Sequence, residues 1–135
     1  MSYDVYLVHP AYLKTEREYP DADELDVVRC DNCGQDISAN VWERNITYNV
    51  GGMFSLAGLG VYDSFNSPKN KGMTAGDWIP AIEAALAHMT DPANEAEYTA
   101  MNPGNGWGSH GGAVDFVEDL LSACKRYPFA VIGAS

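Results

Sequence analysis

Two stretches in the second half of the chain carry apolar residues at the spacing of an amphipathic helix, and they constrain the fold most. The first covers about residues 76–89, with apolar residues at Trp78, Ile79, Ile82, Ala85, Leu86 and Met89. The second covers about residues 113–126, with Val114, Val117, Leu120, Leu121 and Cys124. Residues three and four apart share one face of a helix, so each stretch predicts a helix with one buried side. Two such helices need a common apolar surface to cover.

Short segments of alternating or β-branched residues predict the strands that supply this surface. They cover residues 3–8, 25–29, 41–48 and 129–132. Residues 61–73 are rich in Ser, Asn, Pro, Gly and Lys and predict an exposed loop. The order of elements predicts an α+β fold, with two main helices packed on one face of a small, mostly antiparallel sheet. The length of 135 residues fits a single domain over residues 1–135.

The charge balance narrows the classes of partner. The chain has 8 Lys plus Arg against 19 Asp plus Glu, for a formal net charge of -11. Binding to nucleic acid or to an anionic membrane needs clustered cations, so we expect neither partner. The N-terminal sequence has no basic and apolar signal segment, and the three cysteines do not suggest a disulfide framework. We therefore expect a cytoplasmic protein, and the sequence leaves its oligomeric state open.

Cys30 and Cys33 form the only candidate metal motif in the sequence. Their C-x-x-C spacing allows two thiolates to point at one zinc ion, with Gly34 completing a turn. A structural zinc site needs four ligands, and no second C-x-x-C is present to supply the others. Three interpretations stay open: reduced structural thiols, a zinc site completed by a histidine, an acid or another chain, and a redox dithiol.

Asn45-Ile-Thr-Tyr-Asn49 is the first of two asparagine-rich segments. Because strand side chains alternate between faces, Asn45, Thr47 and Asn49 share one face if the strand reaches Asn49. The opposite face carries Trp42, Ile46 and Tyr48 and predicts the core side. Asn49 also suits the N-cap of a short helix over residues 50–57, which Gly58 and Gly60 would end.

Asn102-Pro-Gly-Asn-Gly-Trp-Gly-Ser109 is the second segment and lies in a glycine-rich loop before the second long helix. Amide side chains offer both donors and acceptors, which suits a neutral polar ligand such as a sugar or nucleobase, and Trp107 could stack on its ring. The predicted ligand-binding residues are therefore Asn45, Thr47, Asn49, Asn102, Asn105, Trp107 and Ser109. The competing interpretation is structural: Asn102 and Asn105 shape turns, and Trp107 fills the core beneath the loop.

Catalytic motifs are missing from the sequence. It holds no HExxH pattern, nucleophile elbow or phosphate-binding loop with its lysine. We predict no catalytic residue. The alternative, a small enzyme acting on a nucleotide or sugar, would depend on His110 or Asp115 as the acid or base next to the asparagine residues.

The two asparagine-rich segments resemble those of a family of uncharacterised proteins from tailed phages and from bacteria that carry phage genes. That family shows an Asn-[aliphatic]-Thr-x-Asn segment before a short helix and an Asn-Pro-x-Asn-Gly-Trp-Gly-Ser segment before a C-terminal helix. The resemblance covers roughly residues 41–132. Its matching positions are Asn45, Thr47 and Asn49, then Asn102, Pro103, Asn105, Gly106, Trp107, Gly108 and Ser109.

The resemblance implies a phage-linked setting, in the cytoplasm of an infected or lysogenic host. By analogy we expect a non-enzymatic accessory protein that acts through its Asn-rich segments. It would bind and block a host protein, such as a defence factor, or sequester a nucleotide-like or sugar-like ligand. A zinc-stabilised interaction module centred on Cys30 and Cys33 stays as a further alternative.

Overall fold

A three-stranded antiparallel sheet and five α-helices make up the described part of the protein. The computed structural model describes residues 2–8, 28–29, 36–37, 40–70 and 73–135. The strands are β1 (Ser2–Val8), β2 (Val28–Arg29), β3 (Asp36–Ile37), β4 (Asn40–Thr47) and β5 (Val131–Ala134). The main sheet has the order β4-β1-β5, and β2 pairs with β3 in a separate ribbon. The α+β class is confirmed.

The helices account for most of the chain after β4. They are α1 (Gly51–Leu56), α2 (Val61–Asn66), α3 (Ala75–Thr90), α4 (Glu95–Ala100) and α5 (His110–Arg126). Among the residues that the structure describes, short 3-10 turns cover Tyr48–Val50, Pro68–Asn70 and Pro92–Asn94. In the described part of the chain, no helix combines the length and apolar character that spanning a bilayer requires.

Both long helices form where apolar periodicity predicts them. A capping box begins α3, since the Asp77 amide donates to Thr74 Oγ1 at 3.3 Å and the Thr74 amide donates to Asp77 Oδ2 at 2.9 Å. Helix α5 begins at His110, before the predicted start at residue 113. Lys125 and Arg126 lie in its last turn, where positive charge stabilises the helix dipole.

The core lies between one face of the sheet and the helices, and it includes buried residues of both α3 and α5. Val5 and Leu7 of β1 are fully buried, and Leu7 pairs across strands with Trp42 of β4. The Trp42 ring packs on Phe116 of α5 with a centroid distance of 6.3 Å. The opposite face of the sheet carries polar side chains, because Ser2 pairs with Thr47 and Asp4 pairs with Asn45.

Residues 61–73 differ from the predicted exposed loop. They include α2, whose Val61 and Phe65 are buried, and Phe65 packs edge-on against Trp78 at 5.0 Å. The last strand also lies two residues beyond the predicted start at residue 129, because the preceding residues form a turn. Carbonyls of that turn accept from the first amides of α3, at Ala75 and Gly76.

Cys30 and Cys33 lie outside the described residues, as does most of the predicted strand over residues 25–29.

Candidate functional site

The two asparagine-rich segments, about sixty residues apart in sequence, meet at the end of β4. Gly108 has a φ of +100°, and a Cβ atom added there would lie 2.8 Å from Thr47 Cγ2 and 2.8 Å from Val50 Cγ1. Asn49 Nδ2 donates to the carbonyl oxygen of Trp107 at 3.2 Å. The backbone at residue 108 therefore lies closer to Thr47 and Val50 than any residue other than glycine would allow. The two segments form one continuous surface.

This contact produces an open cleft of about 410 Å³ on the polar face of the sheet, which we call the Asn–Trp cleft. Its lining residues are Ser2, Asn45, Thr47, Asn49, Asn105 and Trp107. Trp107 is 71% exposed, so the interpretation of this residue as a core filler is wrong. Asn45, Asn49 and Asn105 are exposed as well. Five of the seven predicted ligand-binding residues therefore lie together.

The other two predicted residues, Asn102 and Ser109, lie outside the cleft and fix the loop. Asn102 Oδ1 accepts a hydrogen bond from the His110 amide at 2.8 Å. Ser109 is the N-cap of α5, and its Oγ accepts from the Gly112 amide at 3.0 Å. These bonds set where the loop ends and where α5 begins.

Asn49 and Asn105 each use one end of the amide to hold the loop and point the other end at the cleft. Asn49 Nδ2 bonds the Trp107 carbonyl, and Asn105 Oδ1 accepts from the Trp107 amide at 3.0 Å. Among the described residues, Asn49 Oδ1, Asn105 Nδ2 and Trp107 Nε1 have no hydrogen-bond partner. An acceptor and two donors therefore accompany the exposed indole ring.

Asn49 differs from its predicted role as a helix cap. The chain forms a 3-10 turn over Tyr48–Val50, and Val50 becomes the N-cap of α1 without a side-chain hydrogen bond. This turn leaves the Asn49 amide free to reach the Trp107 carbonyl.

Asn45 is held by two residues that sequence analysis did not single out. Its Nδ2 donates to Ser2 Oγ at 3.1 Å and to Asp4 Oδ1 at 2.8 Å. Ser2 and Asp4 lie at alternate positions of β1, so the sequence shows a polar face on that strand. It does not show the register that sets this face beside Asn45.

The six described lining residues of the Asn–Trp cleft all carry neutral side chains. A charged group, the Asp4 carboxylate, accepts a hydrogen bond from Asn45 of this lining. Hydrogen bonding and ring stacking are thus the chemistry available from the lining. None of these side chains is suited to general acid–base catalysis near neutral pH.

His110 is occupied by contacts on the other side of its loop. Its ring stacks on Tyr98 with a centroid distance of 4.8 Å and an interplanar angle of 7°. His110 Nε2 lies 2.8 Å from the Met89 carbonyl oxygen, which requires that Nε2–H donate. Tyr98 is fully buried, with its hydroxyl 2.6 Å from His88 Nδ1. Burial raises the pKa of Tyr98, and Glu97 adds to that effect.

Asp115 is likewise engaged away from the cleft. Its carboxylate pairs with Arg44 at 2.8 Å, and Asp119 pairs with the same guanidinium at 3.2 Å. The hydrogen bond from Arg44 to Asp115 raises the pKa of Arg44, although partial burial opposes this shift. The acid or base invoked for an enzyme thus lies outside the lining in both cases.

Cys124 lies in the core of α5, where burial raises the pKa of its thiol to about 12. Such a thiol is protonated at neutral pH and is a poor nucleophile or metal ligand. Across residues 2–8, 28–29, 36–37, 40–70 and 73–135, no three His, Cys, Asp or Glu side chains converge as metal ligands.

Comparison of the chain with protein-family models, with curated protein sequences and with solved structures gives no match.

Proposed function

We propose that the protein binds a small, neutral, polar ligand that contains a ring, and that the Asn–Trp cleft is its binding site. One observation carries this proposal: an exposed indole is held beside unpaired amide groups by a loop that contacts β4. The ring would stack on Trp107, and its polar groups would bond Asn49 Oδ1 and Asn105 Nδ2. Binding without chemical conversion is the expected activity.

The exposure of Trp107 supports a recognition role. Trp78 is 8% exposed and Trp42 packs on Phe116, whereas Trp107 leaves 71% of its surface in water. A large aromatic side chain in such a position gives up the stabilisation that burial would provide. Aromatic groups at exposed polar sites are typical of binding surfaces.

The rigidity of the loop supports the same conclusion. The backbone of Trp107 is held on both sides, with its amide bonded to Asn105 and its carbonyl bonded to Asn49. A ligand that meets a fixed loop loses less free energy to ordering than one that meets a flexible loop. The backbone at Trp107 is therefore held in place before any ligand arrives.

Saturation-transfer difference NMR tests the proposal directly. The probe is an equimolar mixture of neutral methyl pyranosides and nucleosides at millimolar concentration. We expect signal transfer to at least one component with the unmodified protein and loss of that transfer in Trp107→Ala. Phe129→Ala is the matched control, because Phe129 is 46% exposed but lies outside the cleft lining. Absent transfer, or equal transfer in Trp107→Ala, would refute the proposal.

A protein partner is the second candidate and is favoured by the size and exposure of Trp107. Interfaces depend on a few central residues, and Trp is the most enriched of them. With a net charge of -11, the partner would present a cationic rim. The resemblance to tailed-phage proteins would make it a host protein.

Affinity capture at two salt concentrations tests this second candidate. We expect one host protein that binds the unmodified chain at 50 mM NaCl, binds less at 500 mM, and is lost in Trp107→Ala but not in Phe129→Ala. A partner retained by Trp107→Ala would contradict a role for the cleft in protein binding.

A further inference from the structure

We infer that the ring recognised by the Asn–Trp cleft is a neutral pyranose, the free or terminal sugar of a glycan, and not a nucleobase. This inference rests on the proposed function and names the ligand class for the same site. Three features of the cleft carry it: its charge, the number of its aromatic faces, and the pairing of its free amide groups.

Charge argues against a nucleotide. Binding a phosphate requires Lys, Arg or a cluster of free backbone amides, and the described lining residues include no cationic side chain. The Asp4 carboxylate is bonded to Asn45 of the lining at 2.8 Å, and it would repel an anion. The chain as a whole carries a net charge of -11. An uncharged ligand meets none of this opposition.

The single aromatic face argues against a nucleobase. A nucleobase has two apolar faces, and proteins that read an extruded base place it between aromatic or apolar side chains. Within the described lining, Trp107 supplies the one aromatic ring. A pyranose can pack the C–H groups of one ring face on an indole, while its equatorial hydroxyl groups stay hydrated or bond to the protein. One-sided stacking thus matches a pyranose better.

The free amide groups match hydroxyls. A sugar hydroxyl both donates and accepts, so neighbouring hydroxyls can donate to Asn49 Oδ1 and accept from Asn105 Nδ2. Each amide is oriented by the bond that its other end makes to the Trp107 backbone. The donor and acceptor are therefore both positioned beside the backbone that carries the indole.

Titration followed by ¹H–¹⁵N NMR tests the inference. The probes are methyl glucoside, methyl galactoside, methyl mannoside and N-acetylglucosamine, compared with cytidine, uridine and their 5′-monophosphates. We expect at least one pyranose to shift the side-chain amide signals of Asn49 and Asn105 with a Kd on the order of 1–10 mM, as suits a few contacts on an open surface. Nucleosides should bind at least about tenfold more weakly, and monophosphates more weakly still.

Asn105→Asp is the sharpest variant. It keeps the oxygen that accepts from the Trp107 amide and replaces the Nδ2 donor with an acceptor. We expect at least a roughly tenfold loss of pyranose affinity with an unchanged fold. Asn102→Asp is the matched control, because Asn102 also accepts a backbone amide in the same loop but lies outside the lining. It adds the same charge and should retain affinity.

The outcomes separate the inference from the proposed function. Nucleosides that bind as tightly as the pyranoses would overturn the sugar assignment and leave the cleft as a ligand site. Binding by neither class up to about 20 mM would overturn both, because such affinity is weaker than even a few contacts provide. Equal affinity in Asn105→Asp and the unmodified protein would overturn the assigned pairing of hydroxyls with amides.

Discussion

Replacing Gly108 by alanine tests whether the loop lies against β4 as closely as the structure shows. A non-glycine residue at a φ of +100° costs roughly 1–3 kcal/mol. The new Cβ would also lie 2.8 Å from carbon atoms of Thr47 and Val50. Val50 is 1% exposed, so relief of that overlap must displace the core, at roughly 1–3 kcal/mol. Alanine also lowers the conformational entropy of the unfolded chain, which restores about 0.4–1 kcal/mol of stability. The expected net loss is about 1–5 kcal/mol.

Alanine variants of two other glycines in the same loop, Gly104 and Gly106, distinguish backbone strain from steric overlap as the cause of that loss. Gly106 has a φ of +76° with nothing within 4 Å of an added Cβ, so Gly106→Ala carries the backbone strain alone. Its expected cost is about 1–2 kcal/mol. Gly104 has open space and an ordinary φ, so Gly104→Ala should change stability by less than about 0.5 kcal/mol.

Urea unfolding followed by far-ultraviolet circular dichroism measures all three variants by linear extrapolation. The free energy of unfolding should fall in the order Gly104→Ala, Gly106→Ala, Gly108→Ala. A Gly108→Ala variant no less stable than Gly106→Ala would refute the close contact, and with it the shared surface of the two segments.

Three further predictions concern contacts outside the cleft. Arg44→Gln should lower the free energy of unfolding in urea by about 0.2–1 kcal/mol, because the ion pair of Arg44 with Asp115 is exposed. A loss of the same size at 1 M NaCl would contradict an ionic origin. Tyr98→Phe removes the buried hydroxyl bonded to His88, so we expect a loss of about 1 kcal/mol by thermal unfolding; an unchanged Tm would show that this bond adds nothing. Cys124 is the only thiol left when Cys30 and Cys33 are replaced by serine, and burial raises its pKa to about 12. We expect this thiol to resist a thiol reagent at pH 8 until urea unfolds the chain. Fast labelling of the folded protein would contradict its burial.

Periodicity predicted the long elements because their burial is regular. Helix α3 follows the apolar spacing from Trp78 to Met89. Alternation placed Asn45 and Thr47 on one face of β4 and Trp42 on the other, as the sheet pairing confirms. Local sequence patterns were enough to predict a helix or strand wherever one of its sides is buried along its whole length.

Amino-acid composition did not predict helix α2, because the residues that bury this helix are distant in the sequence. The six residues of this helix include Ser, Asn and Asp and show no strong helical pattern. Val61 and Phe65, one turn apart, are buried in the core. Packing of Phe65 on Trp78 of α3 supplies the burial that local propensity lacks. Asn49 shows the same effect, because its bond to Trp107 across 58 residues replaces the predicted capping role.

The lining of the Asn–Trp cleft could be predicted only in part, because it depends on the register of the strands. Trp107 and the asparagines were identifiable as ligand-binding candidates from their chemistry. Ser2 was not, because its place in the lining depends on pairing with Thr47. The role of Gly108 depends on the distance between two segments, which neither segment contains alone.

The most direct test of the account is ¹⁹F NMR of protein labelled with 5-fluorotryptophan. The chain has three tryptophans, so three resonances are expected, and Trp107→Phe assigns one of them. During titration with methyl pyranosides, the account predicts a saturable shift of the Trp107 resonance while those of Trp42 and Trp78 stay in place. A Trp107 resonance that does not move, or that moves no more than the other two, would contradict the claim that the Asn–Trp cleft is a binding site for such a ring.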